Sequence, residues 1–248
     1  MADLLPAIRN KFTGLILIIS NIANEAAARL VDRFPPGAAL LITASSFHQS
    51  FRSGLNVNDF SLSRIFINGK EIAASEIAGV ITTISSFMPN EFYYIDDADQ
   101  KYVCAEMNAF FIYFLSQLKC KKINPPTVRS LSGPSLHRIE WIKKVHAAGI
   151  PVWPVKMVNS RNVNAGLAEN LKPGVKSFSA LDGRIIGAQV QPGLLKRYAF
   201  ELQSLFAMPF FSCHFISEMP GQYHLADIIW KPDVSVAANC EAIVNYFS

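Results

Sequence analysis

The apolar residues of this chain fall into short runs separated by polar, turn-forming segments, a pattern typical of alternating strands and helices. Residues 14–20 form a short apolar run, residues 21–34 carry small and apolar residues at helical spacing, and residues 38–44 form a second run. This β-α-β order predicts parallel strands joined by a right-handed crossover. Runs of similar length predict further strands at residues 79–85 and 121–124.

Four further helices and three hairpins complete the predicted secondary structure. Apolar residues spaced three and four apart indicate each helix, and a turn dipeptide between strand-like segments indicates each hairpin. The predicted helices are residues 96–118, 135–148, 194–206 and 236–247, and the hairpin turns are Asn68-Gly69, Asp182-Gly183 and Pro220-Gly221. We therefore predict an α/β protein with a parallel lobe over residues 1–150 and an α+β lobe with antiparallel hairpins over residues 151–248.

Composition narrows the function classes. Half of the 248 residues are hydrophobic and 17% are charged, which predicts a large core, an oligomer interface, or both. No apolar run reaches the roughly 18 residues that span a bilayer, and the first residues lack a signal-peptide core, so we predict a cytoplasmic protein that does not contact membranes. The net charge of +4 is too small, and its lysines too few, to predict nucleic-acid binding.

The candidate metal ligands and nucleophiles form no recognisable site. The four cysteines lie too far apart for a zinc knuckle or a CxxC motif and are interpreted as buried thiols. His214 and His224 can approach across the last hairpin with Asp227 nearby, but a zinc site needs a third ligand. We therefore predict no catalytic residue, no metal and no cofactor.

Three stretches resemble the RimK-like ATP-grasp ligases. Asn124–Pro126, followed by a helix and then Ala147–Val152, is similar to the family sequence that leads into the nucleotide-binding lobe. Residues 175–188, VKSFSALDGRIIGA, resemble the hairpin that crosses the family's active site, and Phe211–Pro232 resembles the closing hairpin that carries its metal ligands. The resemblance implies an ATP-grasp-like fold, with a pre-ATP-grasp lobe followed by a shortened ATP-grasp lobe.

The departures from the family pattern concern its nucleotide site. The family holds magnesium on ATP with two acids and an asparagine, because hard cations prefer oxygen ligands. The matching positions here are His214, Asp227 and Ile229. The nucleotide lobe is also short, and its candidate lysines, Lys156 and Lys172, have no glycine-rich loop beside them. The resemblance therefore implies a scaffold that no longer binds magnesium-ATP.

A peptide partner follows from the same resemblance. Short ligase-like chains resemble the peptide-binding proteins of crocagin biosynthesis, which implies a non-catalytic role in the modification of a ribosomally made precursor peptide. The expected partners are the leader part of that peptide, a pathway enzyme and a second copy of this chain in a homodimer. The preferred contact element is the hairpin over residues 175–190, because an exposed hairpin edge accepts an added strand. The side chains expected to contact the peptide are Trp153, Arg161, Phe178 and Arg184.

Two alternatives stay open from the sequence. One is an active ATP-dependent ligase that joins a carboxylate to an amine. The other is an accessory subunit that completes the site of such a ligase.

Overall fold

A computed structural model describes residues 14–47, 53–154, 175–187, 193–219 and 221–248. The strands in these ranges are β1 Leu15–Ile19, β2 Ala39–Ile42, β3 Arg64–Ile67, β4 Lys70–Ala73, β5 Ile77–Thr82, β6 Lys121–Ile123, β7 Val175–Leu181, β8 Arg184–Ile186, β9 Phe210–Met219 and β10 Gln222–Ile229. The helices are α1 Glu25–Val31, α2 Asp97–Gln117, α3 Arg138–Ala147, α4 Leu194–Phe206 and α5 Ala237–Phe247.

The described strands form three sheets. A parallel sheet has the order β2-β1-β5-β6, an antiparallel sheet has the order β10-β9-β7-β8, and β3 pairs with β4 as a separate hairpin. The protein is therefore α/β, with a parallel sheet and a separate antiparallel sheet, as predicted. None of the helices in these ranges is long and apolar enough to cross a bilayer.

Contacts divide the chain into two units that differ from the predicted division at residue 150. Unit 1 comprises residues 1–135 and 230–248, and unit 2 comprises residues 136–229. The C-terminal segment belongs to unit 1 because Lys121 Nζ donates a hydrogen bond to the Tyr246 carbonyl at 2.9 Å and the Phe247 ring lies against Gly79. Asn124 likewise donates a side-chain hydrogen bond to the carbonyl of Trp230. These contacts join residues far apart in sequence, so local patterns do not reveal them.

Unit 1 is organised around strands that are buried on both faces. Four of the five residues of β1 are buried, as expected for the interior of a parallel sheet. The long helix α2 contributes Phe111 and Phe114, both fully buried, to an aromatic cluster. In that cluster the ring centroids of Phe47 and Phe111 lie 4.7 Å apart. Aromatic side chains bury a large area each, so this cluster contributes strongly to the core of unit 1.

Unit 2 has its core between the antiparallel sheet and α4. The rings of Phe178 and Phe215 stack with centroids 5.8 Å apart, and Tyr198 of α4 stacks on Phe215 at 5.9 Å. One face of the sheet therefore packs on the helix. The helix spans the predicted residues 194–206 and ends where Ala207 adopts a left-handed conformation with φ of +51°.

The predicted hairpin turns are present at two sites with the expected backbone. Asn68 and Gly69 have φ of +49° and +76°, and Asp182 and Gly183 have +47° and +76°. Two successive residues with positive φ form a type I′ turn, and the twist of this turn matches the twist of the two strands that it joins. Both dipeptides are therefore explained by the turns that they form.

Candidate functional site

The antiparallel sheet of unit 2 has one apolar face and one face with polar side chains in its centre. Side chains alternate along each strand, so Phe178 and Phe215 point to the α4 face while their neighbours point away from it. The cross-strand register then places Ser177, His214 and Asp227 side by side on the outer face. In this Ser177–His214–Asp227 row, His214 and Asp227 occupy two of the three positions to which the resemblance assigns the metal ligands of the ATP-grasp family.

Within the row, His214 already has a hydrogen-bond partner. Its Nδ1 lies 2.7 Å from the Ser177 hydroxyl, and Asp227 is its direct neighbour on β10. One oxygen of Asp227 accepts a hydrogen bond from the backbone N–H of Ile228 at 2.9 Å. The row thus joins a hydroxyl, an imidazole and a single carboxylate across three strands.

A magnesium ion does not fit this set of donors. Magnesium requires nearly octahedral oxygen coordination, usually with one or two carboxylates, and an imidazole is a poor ligand for it. The third expected position, Ile229, lies opposite Ser212 and offers no side-chain donor. Among the residues that the structure describes, no three His, Cys, Asp or Glu side chains are grouped closely enough to hold a metal ion.

His224 does not join the row. It pairs with Ile216, and its ring forms an edge contact with Trp153, with centroids 6.1 Å apart. Trp153 is held there because the segment before it runs beside β10: its N–H donates to the Leu225 carbonyl at 2.9 Å. His224 therefore contacts Trp153 at the β10 edge, whereas the sequence had predicted that it approaches His214 and Asp227.

An arginine that the sequence analysis did not select lies near the same edge. The Nη2 of Arg138 donates to the Ala226 carbonyl at 3.3 Å, whereas its Nε is buried without a hydrogen-bond partner. The Nδ1 of His224 is buried without a partner as well. No local pattern distinguishes Arg138 from the other basic residues of α3, because its position depends on a contact 88 residues away.

Of the four predicted peptide contacts, Arg184 is exposed on β8 and Trp153 is half-buried beside β10. Phe178 is only 4% exposed and packs in the unit 2 core, so its ring supports the sheet rather than presenting a surface. Arg161 lies outside the described residues. Because β8 and β10 are opposite edges of a four-stranded sheet, about 14 Å apart at the usual strand spacing, Trp153 and Arg184 do not form one compact cluster.

The cysteines are free thiols in settings that disfavour the reactive thiolate. Cys104, Cys213 and Cys240 are buried and Cys120 is half-buried, as the sequence analysis expected. Burial raises the pKa of each thiol, most strongly for Cys213. Since the thiolate is the nucleophile, burial makes each of the four thiols less reactive than a free cysteine.

Comparison with known proteins finds similar structures but no match by sequence. No family model matches the chain, and no curated protein matches it by sequence. The structure is similar to the macrocyclase MdnC of Microcystis aeruginosa bound to the precursor peptide MdnA, with a TM-score of 0.69 and 10% identity. That alignment covers 94% of this chain and 100% of MdnC.

Two further solved structures extend the comparison. The ATP-grasp ligase PsnB, in complex with a minimal precursor, Mg and ADP, aligns with a TM-score of 0.64 at 12% identity, covering 94% of this chain and 96% of PsnB. A ligase of Chryseobacterium gregarium, described as RiPP-associated and bound to ADP with a leader and core peptide, aligns with a TM-score of 0.60 at 10% identity. The alignment with the Chryseobacterium gregarium ligase covers 93% of this chain and 92% of that ligase. At such identities the likeness concerns the fold: this chain has the fold of the ATP-grasp ligases.

Proposed function

We propose that this protein binds a ribosomally made precursor peptide and assists its modification without itself catalysing an ATP-dependent ligation. The observation that carries the proposal is the donor set of the Ser177–His214–Asp227 row, which does not suit magnesium. The solved structures with the same fold include ligases bound to precursor peptides, which supports peptide binding as the property retained by the scaffold.

In this proposal the peptide forms main-chain hydrogen bonds with the β8 edge. In a two-residue hairpin the residues flanking the turn, here Leu181 and Arg184, exchange backbone hydrogen bonds. The next residue, Ile185, therefore directs its N–H and C=O outward from the sheet. Within the described ranges no strand pairs with that side of β8, so an extended peptide can add there as a fifth strand.

Side chains at the two sheet edges supply the remaining contacts. Arg184 is exposed next to the outward groups of Ile185 and can pair with an acidic residue of the peptide. At the opposite edge, Trp153 is half-buried with its ring against His224 and offers an aromatic surface. Aromatic residues and arginines dominate the energy of many interfaces.

Isothermal titration calorimetry with any short precursor peptide that the neighbouring genes encode tests the proposal. We expect binding by the wild type and about tenfold weaker binding by Arg184→Ala, the loss expected for an interface arginine. Arg197→Ala is the matched control, because Arg197 is an exposed arginine of the same unit whose ion pair with Glu201, at 3.4 Å, and cation–π contact with Tyr198 both lie within its own helix. Trp153→Ala reports separately on the β10 edge.

Absence of peptide binding, with the pathway enzymes also present, would remove the proposal. A thermal-shift assay with magnesium and ATP addresses ligase activity, because a ligand of the folded state raises the melting temperature. A clear rise would favour an active ligase instead. Co-purification of a full-length ligase would favour the accessory subunit, and light scattering tests the proposed homodimer.

A further inference from the structure

The parallel sheet of unit 1 has a topological switch point between β1 and β5. The chain leaves β1 toward β2 on one side and returns to β5 on the other side. In open α/β sheets the connecting loops diverge at such a point and leave a crevice outside the carboxyl ends of the strands. Here the two strands stay joined up to Thr83, whose N–H donates to the Ile19 carbonyl at 2.9 Å and whose hydroxyl donates to Ser20 Oγ at 2.7 Å.

A cavity of about 300 Å³ lies in the loops just beyond these hydrogen bonds. We call it the switch-point cavity. The loop after β1 contributes residues 21–23, and the loop after β5 contributes residues in the range 84–93. Its volume is at the lower end of the range for small-molecule sites, which suits one amino-acid side chain or a small amine.

Glu91 is the one charged side chain among the described residues that line the cavity. Its Oε2 accepts a hydrogen bond from the Met88 N–H at 2.7 Å, and its Oε1 is shielded from solvent without a hydrogen-bond partner. Among the described residues no lysine, arginine or histidine lines the cavity, and neither ion pair found in the described part of unit 1 includes Glu91. A buried acceptor without a donor is costly, and a carboxylate accepts only.

The cap that Glu91 provides to its own backbone does not require this burial. Glu76 makes the same reach-back contact, with its Oε2 accepting from the Ala73 N–H at 2.9 Å, at an exposed site. The two glutamates therefore share a local role and differ in the surroundings of their second oxygen. That difference makes Glu76 a matched control for Glu91.

The rim of the cavity is apolar and exposed. Ile22, Met88 and Tyr93 all line it, and they are 57%, 56% and 66% exposed. Large apolar side chains grouped around a concave site indicate a binding surface more strongly than isolated ones do. The Tyr93 ring also offers a face to a cation.

From these features we infer that the switch-point cavity binds a positively charged nitrogen on an aliphatic stem, with the Glu91 carboxylate as its anionic partner. The ammonium supplies the positive charge that the described wall of the cavity lacks. The methylene groups of the stem cover the side chains of Ile22 and Met88, and the cation lies within reach of Tyr93. The lysine side chain of a peptide and a free alkylamine share this chemistry.

Calorimetric titration with three probes tests the inference: N-acetyl-lysine methylamide, its neutral analogue N-acetyl-norleucine methylamide, and pentylammonium. We expect the two ammonium compounds to bind wild type and the norleucine compound to bind at least about tenfold more weakly, because hydrogen bonds to charged groups are the strong ones. Tighter binding of the lysine compound than of pentylammonium identifies a peptide as the source, and the reverse identifies a free amine.

Glu91→Gln keeps an oxygen for the Met88 N–H and removes the charge, so it should weaken ammonium binding about ten- to a hundredfold. Glu76→Gln should leave binding unchanged. Tyr93→Leu keeps the apolar rim, removes the cation–π contact and should weaken binding a few-fold even if Glu91→Gln folds poorly. Failure of both ammonium probes to bind wild type, or equal binding of the norleucine compound, overturns the inference. No probe contains a precursor sequence, so these outcomes are independent of the proposed peptide binding.

Discussion

Gly79 offers a direct test of the packing that joins the C-terminal helix to the parallel sheet. A Cβ built on Gly79 lies 2.6 Å from Phe247 Cδ1 and 2.8 Å from Ile16 Cδ1. Carbon atoms normally pack at about 3.5–4.0 Å, so the Phe247 ring would have to move by roughly 1 Å. Gly79→Ala should therefore overpack the interface between β5 and α5 and lower the free energy of unfolding by about 2 kcal/mol.

The Phe247 ring makes the closest contacts and Ile16 Cδ1 is the far end of a side chain that can rotate, so removal of the ring should relieve most of the strain. Phe247 is 8% exposed, and Phe247→Ala alone should cost about 3 kcal/mol, the lower end of the range for a buried phenylalanine. In the double variant the alanine methyl occupies space that the ring has left. We expect a total loss close to 3 kcal/mol rather than the additive 5 kcal/mol, which is a coupling of about 2 kcal/mol.

Urea denaturation of the four proteins, followed by circular dichroism, measures this coupling. Gly54→Ala is the control, because a Cβ there meets nothing within 4 Å. It should be neutral or slightly stabilising, since alanine restricts the unfolded chain more than glycine does. Additive losses in the double variant would refute the close contact of α5 with β5, and with it the assignment of the C-terminal segment to unit 1.

Three further predictions concern single side chains. Phe215→Leu should lower the unfolding free energy by about 1–2 kcal/mol, because it removes two stacked ring contacts, and urea denaturation measures the loss. Asp182→Ala should cost about 1 kcal/mol and Asp182→Gly should not, since the residue has φ of +47°; thermal melts of both variants compare them. Burial raises the pKa of Tyr94 to about 12, so the folded protein should lose stability as pH rises from 10 to 12, where unfolded tyrosine ionises first. Ultraviolet titration should show one late-ionising tyrosine that Tyr94→Phe removes; an unchanged titration curve would contradict the assignment.

The predictions from sequence succeeded where the signal was local. The helix over residues 194–206 and the hairpin turns at Asn68-Gly69 and Asp182-Gly183 follow from apolar spacing and from residues that tolerate positive φ. Helix α3 was predicted from residue 135 but begins at Arg138, because His137 and Glu140 form a capping box that fixes its start. Such caps shift the first residue of a helix by a few positions, but the segment remains a helix.

The predictions were less complete for residues whose position depends on contacts with residues far away in the sequence. The alternation of β7 did not reveal that Phe178 faces α4, because either face of a hairpin can be the buried one. Trp153 was predicted to contact the peptide, yet its place beside β10 follows from backbone bonds to residues about 70 positions later. The switch-point cavity likewise requires the carboxyl ends of β1 and β5 to be neighbours, which depends on strand order rather than on residue pattern.

The two proposed sites differ in which ligands they can distinguish. Strand addition at β8 uses the outward N–H and C=O of Ile185, and main-chain groups are common to every peptide. Such pairing provides attachment with little selectivity for sequence. A carboxylate in a cavity instead rejects a neutral analogue, because the analogue covers the charge without supplying a donor. If both sites act on one class of ligand, the Glu91→Gln variant should lose its preference for lysine-containing peptides over their norleucine counterparts, and Arg184→Ala should weaken binding of both peptides equally. A preference that persisted in Glu91→Gln would assign selectivity to side chains other than those of the switch-point cavity.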